Sequence, residues 1–267
     1  MRRLGVVGLV ALDRVDGGLP RLGGVPVYAA RTLGLLGHPA ALATKLADDD
    51  RPRLAALGVP IAAHTATRTI SFRIENFGDR RDMTLEVPGE PWTPEEARGW
   101  LGRALADTDW VHAGALTRDD FPAATLALLA RGRVLSLDGQ GLVRLGRVGD
   151  VVLDADYDRD VLRHVSVLKL ARDELEALGL ELTERSLGSL GIREVVVTLG
   201  RTGSVVYADG IAEHVPTIPL ETVDPTGAGD SWTTAYLVYR RQRHSPVSAA
   251  RLANGVLGAL LGRRPRR

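Results

Sequence analysis

Short apolar runs recur along this chain, spaced widely enough to leave room for a helix between them. They lie at 4–10 (LGVVGLV), 40–44 (AALAT), 110–113 (WVHA), 134–137 (VLSL), 165–168 (VSVL) and 195–199 (VVVTL). Runs of this kind, without polar alternation, suit strands buried on both faces. Stretches with helical spacing separate most of them, at 26–36, 94–106, 121–131 and 172–178. Thr93 is placed to cap the second of these, with Pro94 at its first helical position. Strands alternating with helices predict an α/β fold: three layers, with a mostly parallel central sheet covered on both sides.

Two segments break the rhythm. Residues 67–75 (TRTISFRIE) and 83–87 (MTLEV) alternate apolar and polar side chains around the turn Asn76-Phe77-Gly78-Asp79. This predicts a hairpin with one exposed face, to which 9–22 adds an extended piece. Segments 9–24 and 65–90 then form a small β lid inserted in a single domain, 1–267; an edge hairpin that extends the main sheet fits the same pattern. A second hairpin is expected from 204–207 and 211–215, at the far edge of the sheet.

Composition narrows the classes. The 267 residues carry a formal net charge of +1, which gives no sign of a nucleic-acid partner. Cysteine is absent, which excludes disulfides and thiolate metal sites. No apolar run approaches the roughly 20 residues a membrane-spanning helix needs, so the expectation is a cytoplasmic protein without a membrane partner. The histidines show no metal-ligand spacing, and Asp48-Asp49-Asp50 reads as a solvated helix start. The basic tail 262–267 (GRRPRR) reads as a solvated end.

The chemistry concentrates in Asp224-Pro225-Thr226-Gly227-Ala228-Gly229-Asp230, ahead of a segment, 231–240, with helical spacing. Pro225 bars regular structure, and the glycines strip away side chains. Amides of Gly227, Ala228 and Gly229 at a helix start form an anion site, because they lack partners inside the helix and its dipole adds positive potential. Asp230 serves such a start as a cap. Beside an anion it can instead take the proton of an attacking hydroxyl, and the residues alone leave both readings open. Neither GxxxxGK[ST] nor GxGxxG opens a helix here.

DPTGAGD resembles the D-T-x-G-A-G-D motif of the ribokinase family, the PfkB carbohydrate kinases. Gly23-Gly24-Val25-Pro26-Val27-Tyr28 resembles that family's N-terminal glycine pair, with Asp13 where a sugar-binding aspartate stands. Val197-Thr198-Leu199-Gly200-Arg201-Thr202-Gly203 resembles its nucleotide loop, and Ala253-Asn254-Gly255 the start of its last helix. Leu137-Asp138-Gly139-Gln140-Gly141-Leu142-Val143-Arg144 resembles a run found in a branch that includes myo-inositol kinases.

The resemblance implies a ribokinase-like fold and ATP-dependent phosphorylation of a small sugar or polyol. Asp230 would be the base, with Gly227, Ala228 and Gly229 as the anion hole. Thr198, Gly200, Arg201, Gly203, Thr226 and Asn254 would border ATP. Asp13, Gly23, Gly24, Tyr28, Gln140 and Arg144 would bind the acceptor, although Tyr28 also suits a core and Arg144 and Arg201 a surface. Mg²⁺ would ride mainly on ATP, with Glu174 in an outer shell, because Ala171 stands where the family's N-x-x-E motif has asparagine. The resemblance also implies a monovalent cation at Asp224, although the chain ends soon after 262, where many members continue into a loop that closes that site. A homodimer through the lid is compatible with this reading. The alternatives are a catalytically silent sugar or nucleotide sensor and a nucleoside kinase.

Overall fold

The computed structural model describes residues 3–77, 80–218 and 225–261. The expected turn residues 78–79, Asp224 and the basic tail 262–267 lie outside them. The strands, in chain order, are β1 (Arg3–Gly8), β2 (Ala11–Val15), β3 (Arg21–Gly23), β4 (Ala40–Leu46), β5 (Ile61–Thr65), β6 (Ile70–Phe77) and β7 (Arg80–Val87). They continue with β8 (Thr108–Gly114), β9 (Val134–Asp138), β10 (Gly149–Asp150), β11 (Val167–Ala171), β12 (Glu194–Thr198), β13 (Ser204–Ala208) and β14 (Ile211–Val215).

Nine strands form the main sheet in the order β14-β13-β12-β11-β9-β8-β1-β4-β5. From β12 to β5 every neighbour is parallel, and the β13–β14 hairpin closes the far edge antiparallel, as its alternation predicts. Period-two geometry sends alternate side chains to opposite faces. Leu4 and Val6 of β1 and Val196 of β12 join one core, whereas Val7, Val195 and Val197 join the other. The first core is built against helices Val25–Leu36, Ala228–Arg241 and Pro246–Leu261. The second holds Leu101, Leu126, Leu129 and Leu175 on the opposite face. Each buried Val or Leu contributes about 1.5–3 kcal/mol, so the layering follows from strand patterning.

A second sheet, ordered β10-β7-β6-β2-β3, lies apart from the first. It contains the hairpin expected around 76–79 and the extended piece near 9–22, but β2 runs parallel to β6, so it is mixed rather than purely antiparallel.

Three boundaries differ from the sequence expectation. Strand β5 (IAAHT) is an added edge strand; its half-exposed pattern and single bulky apolar residue give little periodic signal. The helix expected over 94–106 breaks at Gly99 (φ −93°, ψ −117°) into Pro94–Arg98 and Trp100–Ala104. Its start is as expected, with Thr93 Oγ1 accepting from the Glu96 amide. Asn254 does not open the last helix but sits well inside Pro246–Leu261, because Pro246 supplies the start.

One ionic cluster fixes the helix that matters most. Tyr236 Oη donates to Glu194 Oε1 (2.6 Å), and Arg240 Nη2 donates to Glu194 Oε2 (2.7 Å). Glu194 opens β12 and is buried, so the Ala228–Arg241 helix is tied by charge-assisted bonds to the main sheet.

Candidate active site

Parallel α/β sheets present ligands at the carboxyl ends of their strands. Here those ends, the small sheet and the start of helix Ala228–Arg241 enclose a cavity of about 150 Å³. That volume suits a small polar molecule rather than a drug-sized one.

Gly227 caps the helix in the left-handed conformation (φ 75°). A Cβ there would stand 2.2 Å from the Tyr28 ring, so the turn and the aromatic are packed face to face. Asp230 follows in the first helical turn, enclosed by protein yet open to the cavity. Burial first, then the Asp138 charge, lift its carboxyl to about 7, against the opposing charges of Lys169 and Arg144.

The acceptor-side expectations converge. Asp13, Gly24, Tyr28, Gln140 and Arg144 line the same cavity as Thr226, Gly227, Gly229 and Asp230. Gly23 lies behind them: a Cβ there would come within 1.9 Å of Asp13 Oδ2, so glycine lets the carboxylate pack against the β3 backbone. Burial, then the charges of Asp13 and Asp230, raise the Tyr28 phenol well above its usual range, so it stays protonated and able to donate. Gln140 Oε1 and Arg144 Nε are buried without a protein partner. Both residues line the cavity, and buried polar atoms ordinarily have a partner.

Other expected residues stand elsewhere. The Ala228 amide donates to Pro225 O (3.0 Å) and closes the turn, so it is already engaged. Ala228 also faces a neighbouring groove with Arg21, Arg31 and Ser231. Thr198 Oγ1 donates to Leu170 O (3.2 Å), and Gly200, Arg201 and Gly203 form the tight turn between β12 and β13. None of these four lines the cavity. Asn254 accepts from Trp232 Nε1 (2.7 Å) and donates to Pro216 O (3.1 Å), so its amide holds protein to protein.

Glu174 is buried; its Oε2 accepts from the Ala171 amide (2.7 Å) at the start of helix Arg172–Ala177. Burial raises its carboxyl above the usual range. It does not line the cavity, and the described residues hold no cluster of three or more His, Asp or Glu that could cage a metal.

The sequence reading missed Lys169 and Arg81 as cavity residues. Lys169 is buried in β11, its Nζ 3.2 Å from Asp138 Oδ1 and 3.3 Å from where a Gly229 Cβ would stand. Burial disfavours its charge, but Asp138, Glu174 and Asp230 outweigh that and hold the ammonium protonated. A lysine inside the apolar run VLKLA, one of only two in the chain, was the available signal. His112 backs Asp138 at 4.0 Å; burial pushes it down to about 4, so it is a neutral packing partner.

Comparison with known proteins assigns the family. The description "pfkB family carbohydrate kinase" matches residues 12–263. The chain belongs to the pfkB carbohydrate kinase family. Among members of the pfkB family it is similar to inositol 3-kinase of Zea mays, 37% identical over 127 residues; the match covers 46% of this chain but only 32% of that protein. It is similar to fructokinase-2 of Zea mays at 26% over 254 residues, covering 87% of this chain and 75% of that protein. A pyrophosphate-dependent kinase in the ribokinase family, solved with a pyrophosphate analog and myo-inositol, superposes with a TM-score of 0.82 at 25% identity, covering 97% of this chain and 94% of that one. A ribokinase of Arabidopsis thaliana, complexed with ribose and ATP, shares the fold at a TM-score of 0.72 and 19% identity, covering 99% and 94%. Among the described residues no helix is long and apolar enough to cross a membrane.

Proposed function

We propose that this pfkB-family chain transfers a phosphoryl group from a phosphoanhydride donor to a hydroxyl of a small polyol, with a cyclitol such as myo-inositol as the acceptor class. The observation that carries this is one cavity shared by Asp230, raised to about 7, and by Asp13, Gln140 and Arg144. A carboxylate with that proton affinity is matched to general-base work near neutral pH. Asp13 accepts hydrogen bonds from the hydroxyls of a polyol and so rejects apolar isosteres. The inositol 3-kinase similarity and the myo-inositol-bound neighbour support the acceptor class.

In the reaction, Asp230 takes the proton of the acceptor hydroxyl. The oxygen–phosphorus bond forms as the donor's bridging bond breaks, and its electron pair leaves with the donor remnant. The amides of Gly227 and Gly229, with the Lys169 ammonium behind them, face the charge on the transferring group. The small sheet serves as the lid that excludes water. Magnesium, where the donor brings it, would be held by donor phosphates and water, since Glu174 is committed to the Ala171 amide.

ATP is the donor the family resemblance supports. A second reading, inorganic pyrophosphate, is in keeping with Asn254: its Oδ1 accepts from Trp232 and one N–H donates to Pro216, so the amide's orientation is fixed by protein rather than by a base. The pyrophosphate-dependent neighbours support the same reading. The test is a panel of myo-inositol, ribose, fructose and adenosine offered with ATP or with pyrophosphate, reading ADP or phosphate release. Turnover of a cyclitol with either donor supports the proposal. Saturable acceptor binding with no turnover under either donor overturns it in favour of a sensor.

A further inference from the structure

The cavity wall carries more positive charge than the reaction above uses. Arg81 extends from β7 of the small sheet, and its Nη2 donates to Thr226 Oγ1 (3.3 Å) across the cavity mouth. The bond joins residues 145 positions apart, one on the roof and one on the turn that opens the Ala228–Arg241 helix. Neither Arg81 nor Arg144 has a carboxylate salt-bridge partner among the described residues. Arg144 Nε is buried without a protein acceptor, its guanidinium 6.0 Å from the Phe72 ring centroid. Burial disfavours the Arg144 charge, Glu174, Asp138 and Asp173 favour it, and Arg81 opposes it as a weaker, repulsive neighbour. Two guanidiniums line one cavity, and an anion bound there would pair with both.

We propose that Arg81 and Arg144 clamp the terminal phosphoryl group of the donor, with Arg81 delivered by the small sheet and moving from Thr226 Oγ1 onto a phosphoryl oxygen. This rests on the phosphotransfer reading and adds a catalytic residue to it. Planar guanidiniums match the equatorial oxygens of a transferring phosphoryl group, which carry the charge in the transition state. No covalent bond to either arginine forms. The acceptor proton still goes to Asp230, and the leaving electron pair stays with the donor remnant. Because Arg81 sits on the roof and its target on the floor, an occupied phosphoryl site pulls the roof shut, and a polyol alone does not. The same phosphate chemistry could come instead from an acceptor that is already phosphorylated, and the experiment separates the two sources.

Arg81 is exposed and its side chain makes one long hydrogen bond among the described residues, so Arg81→Gln folds like the wild type. Arg73→Gln is the control, an arginine of β6 paired with Glu75 and Glu86. Inorganic pyrophosphate is titrated by calorimetry into wild type and both variants, with no acceptor present. The expected result is pyrophosphate binding weakened at least tenfold in Arg81→Gln and unchanged in Arg73→Gln. With the acceptor and donor that turn over, Arg81→Gln lowers kcat about 100-fold, leaves the acceptor KM within threefold, and regains activity with millimolar guanidinium. Equal pyrophosphate affinity in wild type and Arg81→Gln overturns the clamp. A rise in acceptor KM with unchanged kcat also overturns it, placing the anion on the acceptor. The calorimetric arm needs no turnover, so it judges the clamp even if the proposed reaction fails.

Discussion

Lys169 and Asp138 form a buried ion pair, Nζ to Oδ1 at 3.2 Å, and the ammonium lies against the turn that presents Asp230. The pair sets opposing fields on the base: Asp138 raises the Asp230 carboxyl and Lys169 lowers it. Asp138→Asn keeps an oxygen for the ammonium but removes the charge, so the acid limb of kcat/KM moves to lower pH. Lys169→Met moves it higher, and it costs about 3–5 kcal/mol of stability by leaving Asp138 buried and unpaired. Matching limbs in wild type and Asp138→Asn would show that the pair does not act on the base.

The wild-type limb itself has a definite position. Asp230 works as a base only when ionised, and its carboxyl stands at about 7. The profile of kcat/KM therefore falls as pH drops through about 7 and levels off above it. A limb near pH 4, the ordinary carboxylate range, contradicts a buried environment for Asp230.

The same group affects stability with a sign that can be worked out. Its folded value lies above the ordinary 3.8, so the folded chain binds this proton more tightly than the unfolded chain between pH 4 and 7. Stability contributed by this residue is lost as pH rises through that window. Asp230→Asn removes the loss: Tm at pH 8 rises by roughly 3 °C or more, with little change at pH 4, while turnover disappears. Thermal melts at the two pH values decide it; a lower Tm at pH 8 would mean that Asp230 serves the helix mainly as a cap.

Much of this was legible in the sequence, and the misses share a cause. Parallel strands β1, β4, β8, β9, β11 and β12 announce themselves because burial on both faces writes continuous apolar runs. Asp13, Tyr28, Gln140, Arg144 and Asp230 were found from motifs, and they meet in one cavity. Edge strand β5 was invisible because a half-exposed edge needs no such run. Arg81 was missed because an arginine on an alternating strand looks the same whether it faces solvent or reaches Thr226, and that difference is made by the sheet's placement. The contacts of Asn254 with Trp232 and Pro216 were not legible either, because local pattern does not record partners that are distant in the chain.

Gly227 offers a test of the turn itself. Alanine there meets two penalties: the left-handed φ of 75°, costing roughly 1–2 kcal/mol, and a Cβ 2.2 Å from the Tyr28 ring. Gly227→Ala is expected to lower both Tm and kcat. If the ring causes much of the damage, Tyr28→Ala relieves it, and the double variant loses less stability than the two single variants added together. Strict additivity in denaturant titrations would show that the turn and the aromatic do not pack as one unit.

Asn254 separates structural support from donor recognition. Asn254→Ala strands the buried Trp232 indole N–H and frees the Pro216 carbonyl, at about 1–3 kcal/mol for the unmet donor. If the side chain only braces the helix pair, that variant melts earlier but keeps its donor KM within about threefold when assayed well below its Tm. Trp232→Phe removes the same donor without touching Asn254 and should melt similarly early, with the donor KM again unchanged. If instead the amide reads a nucleotide base, Asn254→Ala raises the KM for ATP at least tenfold and Trp232→Phe does not. Comparing the two variants with ATP and with pyrophosphate isolates the effect, because pyrophosphate has no base to read.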